Sequence, residues 1–294
     1  MTHIMLVTIS GLVRLVRPRQ WVKNVFVLAA PVYGGALFGD GKIIRALLAV
    51  AIFCALSGGV YIFNDLKDIE QDRLHPRKRS RPLASGEVSR WLAVLFGVVL
   101  LAVSLGGSYV LSLGLFGTAL CYLAINTFYT LWWKHTVILD IFCVASGFVL
   151  RVIAGALAVD VVLRPWILVC TLSLALLISL GKRRSEVVLL GEDAEAHRRT
   201  LGEYPLRFLD VLIVVASTMT VLAYSLFTFD SSHSRYLMTT IPFVLYGVFR
   251  YLYLIYVRGE TDPPELILLH DVPMLVNGVL WGVLSAWLFH QNSP

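Results

Sequence analysis

Runs of about 20 mostly apolar residues recur along nearly the whole chain, and each is long enough for one membrane-spanning helix. Hydrophobic residues fill 57% of the 294 positions and charged residues only 15%, against about 25% charged in a typical soluble domain. A bilayer solvates such an apolar fold, whereas water does not. The sequence therefore predicts an all-α integral membrane protein, a nine-transmembrane-helix bundle forming one domain over residues 1–294. The predicted spans are 22–39, 43–63, 91–109, 112–131, 137–158, 163–181, 208–229, 237–257 and 271–290.

The charges between the predicted spans are distributed unequally across the membrane. With the N-terminus placed in the cytoplasm, most of the 25 Lys and Arg residues are cytoplasmic, and Lys42, Arg45, Arg164 and Arg235 lie opposite. This pattern follows the positive-inside rule and predicts a multi-pass plasma-membrane protein with an external C-terminus. The segment 1–19 is predicted to form an interfacial helix. Because topology explains most of the net charge of +6, no nucleic-acid partner is expected.

An acidic segment follows the second predicted span, at residues 64–72 with the sequence NDLKDIEQD. Helical spacing places Asn64, Asp68 and Asp72 on one stripe, and Asp65 joins them. Carboxylates packed this closely repel one another unless a cation lies between them. Because Mg²⁺ prefers carboxylates together with substrate phosphate oxygens, these four residues are predicted metal ligands at a cytoplasmic-side active site. The alternative interpretation is a solvated acidic helix end.

Two basic segments border the predicted cytoplasmic side. The first continues from the acidic segment through residues 73–82, and the second follows the sixth span. Basic groups next to a metal cluster suit a substrate with more phosphate than the metal neutralises. The alternatives are positive-inside charge and helix-stabilising pairs of Glu186 with Lys182 or Arg183. The substrate-binding candidates in these segments are Arg73, His75, Lys78, Arg81, Lys182, Arg183, Glu186 and Arg198.

Two charges lie within the fifth predicted span. Asp140 and Arg151 are about three helical turns apart and share one helix face, with Gly147 between them. Charged residues inside spans usually face a polar cavity, although a purely structural pair is the alternative. Tyr129 and Lys134, at the end of the fourth span, are predicted to point towards the same site.

The acidic segment 64–72, at the end of the second of nine spans, resembles the first motif of the UbiA superfamily of membrane prenyltransferases. The correspondence in span number covers essentially the whole chain. Most members have a second Asp-x-x-x-Asp motif after span six, where this chain has Lys182-Arg183-x-x-Glu186. A basic pair in place of an acid argues against the usual prenyl-diphosphate donor.

Further strings resemble one branch of that superfamily, the decaprenyl-phosphate phosphoribosyltransferases. The resemblance implies transfer of 5-phosphoribose from 5-phosphoribosyl 1-diphosphate to a polyprenyl (decaprenyl) phosphate, with release of diphosphate, for cell-wall arabinan synthesis. The strings are RPRQWVKN at 17–24, DRLHPRKRSRP at 72–82, Lys134-His135 with Asp140, GFVLRVIAG at 147–155, Lys182-Arg183-x-x-Glu186 and Pro264-Glu265.

The resemblance also implies roles for individual residues. Asp65, Asp68 and Asp72, with Asn64, would hold Mg²⁺ on the diphosphate, and Lys23 would join the phosphate-binding cations. Asp140 would hold a sugar hydroxyl or orient Lys134, and Arg151 would lie deeper, near the acceptor phosphate. The implied partners are both substrates and the lipid bilayer, and a homo-oligomer is left open.

Two other functions remain open at this point. An aromatic-acceptor prenyltransferase would keep the first acidic motif but should also have an acidic second motif. A membrane transporter would use Asp140 and Arg151 as coupling charges, and would be expected to show an inverted repeat.

Overall fold

The computed structural model describes residues 2–34, 41–74, 78–191, 199–230, 235–260, 267 and 270–291, and this part of the chain is helical without β-strands. Short 3-10 helices at Pro18–Leu28, Lys78–Ser80, Trp133–His135 and Arg235–Thr240 connect the α-helices. The α-helices are α1 (Thr2–Leu15), α2 (Ala29–Tyr33), α3 (Lys42–Lys67), α4 (Ile69–Leu74), α5 (Arg90–Leu111), α6 (Leu113–Leu131), α7 (Leu139–Val159), α8 (Pro165–Leu190), α9 (Arg199–Gly202), α10 (Leu206–Phe229), α11 (Ile241–Tyr256) and α12 (Val272–Gln291).

Seven helices in the described ranges are long and apolar enough to cross a membrane. They are α3, α5, α6, α7, α8, α10 and the stretch Tyr236–Tyr256 that contains α11. A shorter apolar stretch, Val272–Leu288 in α12, matches the last predicted span. The multi-pass helical fold is thus confirmed, while the count of nine spans stays a prediction.

The first predicted span, 22–39, differs from one continuous helix in its described part. The chain there forms the 3-10 helix Pro18–Leu28 and then the five-residue α2. Pro31 has no amide hydrogen to donate to the carbonyl of Val27, so a regular α-helix cannot pass through this point. That carbonyl instead lies against α7, where a Cβ at Gly155 would collide with it.

The acidic segment also differs from the predicted continuous helix. Helix α3 ends at Lys67, Asp68 has φ −97° and ψ 12°, and α4 begins at Ile69. Backbone hydrogen bonds still join Asp68 to Asn64 and Asp72 to Asp68. The predicted continuous helix is therefore interrupted at Asp68, whose carboxylate pairs with Lys134.

Helix α7 lies at the centre of the bundle and α5 lies at its edge. Small residues on α7, including Ala154 and Ala158, are buried in the main core cluster, which permits close helix approach. On α5, Leu95, Val99 and Val103 are exposed and form an apolar outer surface suited to lipid. Helices α3, α6 and α8 end, and α7 begins, at one end of the bundle, which is called the charged end below.

Candidate active site

Two buried carboxylates converge on one arginine at the charged end. Asp65 and Asp72 are only 3% and 4% exposed. The Nη1 atom of Arg81 lies 3.0 Å from Oδ1 of Asp65 and 2.6 Å from Oδ2 of Asp72. Arg17 forms a second ion pair with Asp65. The two acids are therefore neighbours in space, and guanidinium groups balance their charge.

Local backbone features bring the two arginines to this position. Arg81 follows the 3-10 helix Lys78–Ser80, and its amide donates to the carbonyl of Lys78. Arg17 precedes Pro18 and has a left-handed conformation with φ 51°, uncommon for a residue with a side chain. Its guanidinium carbon also lies 5.1 Å from the centre of the Tyr61 ring. Arg17 is not among the site residues predicted from the sequence, although it lies in the string RPRQWVKN.

Asp68 and Asn64 connect α3 to the end of α6. The ammonium of Lys134 lies 2.9 Å from Oδ1 of Asp68. Thr130 donates its hydroxyl to Oδ1 of Asn64, and Lys67 donates to the Thr130 carbonyl over 2.8 Å. These contacts place Lys134 beside the acidic segment, on a different carboxylate from Arg81.

The donor set at this point fits a divalent metal that a phosphorylated substrate would share. In the described residues, no three His, Cys, Asp or Glu side chains form a ready cluster. Asp65 and Asp72 supply two buried carboxylates whose partners in this structure are the guanidinium groups of Arg17 and Arg81. Magnesium often binds through one or two carboxylates, with phosphate oxygens and water completing its shell. Two acids are therefore enough here.

A second charged cluster joins α7 to α8. Nε of Arg183 lies 2.9 Å from Oδ2 of Asp140, and its Nη1 lies 2.6 Å from Oε2 of Glu186. Asp140 has no exposed surface. The hydroxyl of Tyr204 donates to Oδ1 of Asp140 over 2.7 Å and accepts from the Ile138 amide over 2.6 Å. Tyr204 is not among the residues predicted from the sequence. Asp140 was predicted to hold a sugar hydroxyl or to orient Lys134, whereas in the structure it forms an ion pair with Arg183.

Lys78 interacts electrostatically with residues of both charged clusters. Its charge interacts with Arg81 and Asp72 of the first cluster and with Glu186 and Lys182 of the second. The pKa of Lys78 is lowered by loss of solvent around its ammonium and then by Arg81, although the residue as a whole is exposed. The acidic segment, the first basic segment and the end of α8 therefore lie near one another at the charged end.

Arg151 lies deeper in the bundle and has neutral partners. Its guanidinium donates to Oδ1 of Asn24 over 2.7 Å, to the Gly147 carbonyl over 2.7 Å and to the Tyr122 hydroxyl over 3.2 Å. Asp140 bonds to Arg183 instead, so the two charges of this span do not form the structural pair considered above.

The other predicted residues have varied surroundings. Arg73 is exposed and bonds to Glu70 and to the Ala84 carbonyl, which braces the loop after α4. Tyr129 is half-buried and interacts electrostatically with Arg183. Lys23 is half-buried in the 3-10 helix Pro18–Leu28. His75, Arg198 and the string Pro264-Glu265 lie outside the described residues.

An apolar cavity of about 370 Å³ lies between α8, α10, α11 and α12. Aromatic and aliphatic side chains form nearly all of its lining, including Phe227 and Trp281 at one end and Leu177 and Tyr251 at the other. A Cβ at Gly181 would collide with the Tyr251 hydroxyl, so this end of the cavity adjoins the helix turn that carries Lys182 and Arg183. One end of an apolar chain bound in the cavity would therefore lie next to Lys182 and Arg183 at the charged end of the bundle.

Comparison with known proteins identifies relatives over nearly the full length. The model of the UbiA prenyltransferase family matches residues 25–271. The decaprenyl-phosphate phosphoribosyltransferase of Corynebacterium glutamicum is 35% identical over 92% of this chain and 84% of its own length. The enzyme with the same name from Mycolicibacterium smegmatis is 34% identical over 96% of this chain and 93% of its own.

Solved structures show the same fold. A UbiA homolog from Archaeoglobus fulgidus bound to GPP and Mg²⁺ has a TM-score of 0.72 at 21% identity, covering 95% of this chain and 97% of that one. The same homolog bound to Cd²⁺ has a TM-score of 0.71 at 22% identity, covering 95% and 99%.

Proposed function

The chain belongs to the UbiA prenyltransferase family, and on that premise we propose that it is a phosphoribosyltransferase rather than a prenyltransferase in the strict sense. It transfers 5-phosphoribose from 5-phosphoribosyl 1-diphosphate to decaprenyl phosphate and releases diphosphate. Two relatives with this printed name, at 34% and 35% identity, support the substrates. The product serves cell-wall arabinan synthesis.

The observation that carries this proposal is the pairing of two charged clusters at one end of the bundle. The first holds Asp65 and Asp72 with Arg81, and the second holds Arg183 with Asp140. The donor carries a diphosphate and a 5-phosphate, and the acceptor carries another phosphate. A site that must accept so many anionic groups needs arginines and lysines in addition to metal-binding carboxylates.

In the proposed reaction, an oxygen of the acceptor phosphate bonds to C1 of the ribose as the bond from C1 to the diphosphate oxygen breaks. The bonding electron pair leaves with the diphosphate, so atoms and charge balance. The acceptor phosphate is already anionic near neutral pH, and no general base is needed. Catalysis then depends on positioning and electrostatic stabilisation, and single displacement inverts C1 to give a β-linked product.

Each cluster has its own task in this scheme. Asp65 and Asp72, together with Asp68 and Asn64 of the same segment, would hold Mg²⁺. The metal would offset the negative charge on the departing diphosphate. The remaining residues bind and orient phosphate and ribose oxygens. They are Lys23, Arg73, His75, Lys78, Arg81, Tyr129, Lys134, Arg151, Lys182, Arg183, Glu186 and Arg198, and Asp140 orients Arg183.

The apolar cavity holds the first part of the acceptor's polyprenyl tail. Its end beside Gly181 places a bound chain next to Lys182 and Arg183. A cavity of about 370 Å³ is far too small for a decaprenyl chain, so the distal part of the tail lies in lipid. No lid is then required for entry.

The membrane placement is part of the same proposal. The chain acts as a single domain in the plasma membrane, with α1 at the interface, the charged end in the cytoplasm and the C-terminus outside. The asymmetric distribution of Lys and Arg supports this orientation.

The test is turnover by detergent-purified protein supplied with labelled phosphoribosyl diphosphate, decaprenyl phosphate and Mg²⁺. We expect a labelled lipid that is absent when EDTA is added. The variant Asp72→Asn should lose activity by about 100-fold or more, because one of two buried carboxylates loses its charge. Glu70→Gln is the matched control on α4, since the Glu70 side chain is 72% exposed, and its activity should stay within about twofold.

Other outcomes would contradict the proposal in distinct ways. A lipid product that forms equally well in EDTA would exclude the metal role. Prenylation of an aromatic acid from a prenyl diphosphate, with no ribosyl product, would show that the donor is wrong while leaving the fold intact.

A further inference from the structure

We infer that Tyr204 is a positioning residue for the reaction, because its hydroxyl fixes Asp140, which in turn orients Arg183 towards a substrate phosphate. The inference rests on the proposed function for the identity of the substrates. It assigns no direct substrate contact to Tyr204 or Asp140. It also gives Asp140 a different role from the sugar contact expected from sequence.

The Tyr204 hydroxyl forms two hydrogen bonds, one as a donor and one as an acceptor. It donates to Asp140 over 2.7 Å and accepts from the Ile138 amide over 2.6 Å, and the residue is 1% exposed. Burial, and the hydrogen bond to Asp140, raise the pKa of Tyr204 well above its ordinary value. The hydroxyl therefore stays protonated and can donate at any physiological pH.

The backbone that Tyr204 supports is strained. Ile138 has φ 70° and ψ −49°, a conformation that is a genuine outlier for a β-branched residue. Asp140 follows two residues later, in the first turn of α7. Such strain persists only where surrounding contacts hold it, and it concentrates at functional sites. The Tyr204 contact to the Ile138 amide is one such restraint on the turn that places Asp140.

The same short segment also contacts the other cationic part of the site. Thr200 is fully buried and donates its hydroxyl to the Lys134 carbonyl over 3.3 Å. The ammonium of Lys134 in turn lies 2.9 Å from Asp68. Residues 200–204, which we name the brace, therefore support Lys134 at one end and Arg183, through Asp140, at the other.

The neighbouring arginine provides a matched control with the same chemistry. Nε of Arg184 lies 2.8 Å from Oδ1 of Asp210, and the Tyr256 hydroxyl donates to the same oxygen over 2.9 Å. Arg184 also donates to the Ile255 carbonyl, so its charge is directed at α11 and away from the site. Removing one hydroxyl at each position compares a brace contact with a purely structural one.

The experiment compares Tyr204→Phe with Tyr256→Phe in detergent-purified protein with Mg²⁺. KM is measured for phosphoribosyl diphosphate and for decaprenyl phosphate, and binding of two probes, diphosphate and farnesyl phosphate, is measured by thermal-shift titration. We expect Tyr204→Phe to raise the KM of one of the two substrates by about tenfold, with kcat changed less than threefold. Binding of the probe that matches that substrate, diphosphate for the donor or farnesyl phosphate for the acceptor, should weaken by the same factor. Tyr256→Phe should change each value by less than twofold. The substrate affected shows whether Arg183 holds the donor or the acceptor.

The inference is overturned if Tyr204→Phe binds both probes as the wild type does, or if Tyr256→Phe weakens them as strongly. Absence of ribosyl transfer by the wild type would contradict the proposed function, but the two binding titrations would still decide the role of Tyr204. If Tyr204→Phe does not fold, Arg183→Lys replaces it, because it removes the guanidinium that Asp140 orients. Unchanged binding of both probes by Arg183→Lys would then count against the inference.

Discussion

Arg183 and Arg184 are consecutive residues on α8, yet their surroundings differ. Each pairs through Nε with an aspartate that also accepts a hydrogen bond from a tyrosine hydroxyl. The Asp140 side chain has no exposed surface, whereas that of Asp210 is 37% exposed. Arg183 also contacts Glu186 and interacts with Tyr129, while the guanidinium of Arg184 lies over the Tyr256 ring at 4.3 Å.

The difference shows how the same residue types can have two different roles. A buried ion pair is weak evidence for stability, because desolvation of both charges can exceed their attraction. The inner pair of Arg183 and Asp140 carries that cost and lies beside the proposed phosphate site. The outer pair of Arg184 and Asp210 avoids most of it and ties α8 to α10 and α11. We therefore expect function to depend on the inner pair and only modest stability to depend on the outer one.

The largest predicted contrast is in stability. Asp140→Asn leaves the buried Arg183 with one carboxylate fewer, and breaking a buried pair typically costs about 3–5 kcal/mol. Asp210→Asn should cost less than about 1 kcal/mol, since its pair is partly solvated. Thermal unfolding of both variants in the same detergent measures the difference. Equal shifts in melting temperature would mean that burial does not distinguish the two pairs.

The second contrast is in activity. Arg183→Lys keeps the charge but removes the planar fork that contacts two carboxylates and, in the proposed reaction, a phosphate. We expect kcat/KM to fall by about 10- to 100-fold. Arg184→Lys makes the same substitution in the outer pair with Asp210 and should alter kcat/KM by less than about threefold. Steady-state assays of both variants measure the two values of kcat/KM. A comparable fall for Arg184→Lys would show that activity does not distinguish the inner arginine from the outer one.

Much of this architecture could be predicted from sequence because it is local. Apolar runs give the membrane helices, and i to i+3 spacing gives the contact of Arg183 with Glu186. The acidic segment was likewise recognisable by composition. The bend at Asp68 was not, since periodicity alone assumes a regular helix and the tertiary contact of Asp68 with Lys134 carries no local signal.

The residues that sequence reasoning missed have distant partners. Tyr204 contacts Asp140 across 64 positions, and Arg17 contacts Asp65 across 48. A lone tyrosine in a polar loop has no sequence pattern that distinguishes a buried side chain from an exposed one. The string around Arg17 was noted, but only the fold shows that its left-handed turn directs the side chain to an acidic residue.

The smallest predicted effect concerns alkaline pH and the inner tyrosine. Because folding raises the pKa of Tyr204, the folded protein keeps the hydroxyl proton when the unfolded chain, with a pKa of about 10, releases it. The stability contributed is fully present below about pH 10 and is lost as pH rises towards the folded value, by up to about 1.4 kcal/mol per pH unit. Melting temperatures from pH 8 to 11 should therefore fall further for the wild type than for Tyr204→Phe. Other tyrosines contribute equally to both proteins and cancel in the comparison. Parallel curves would show that this hydroxyl keeps an ordinary pKa, and that Asp140 holds Arg183 without its help.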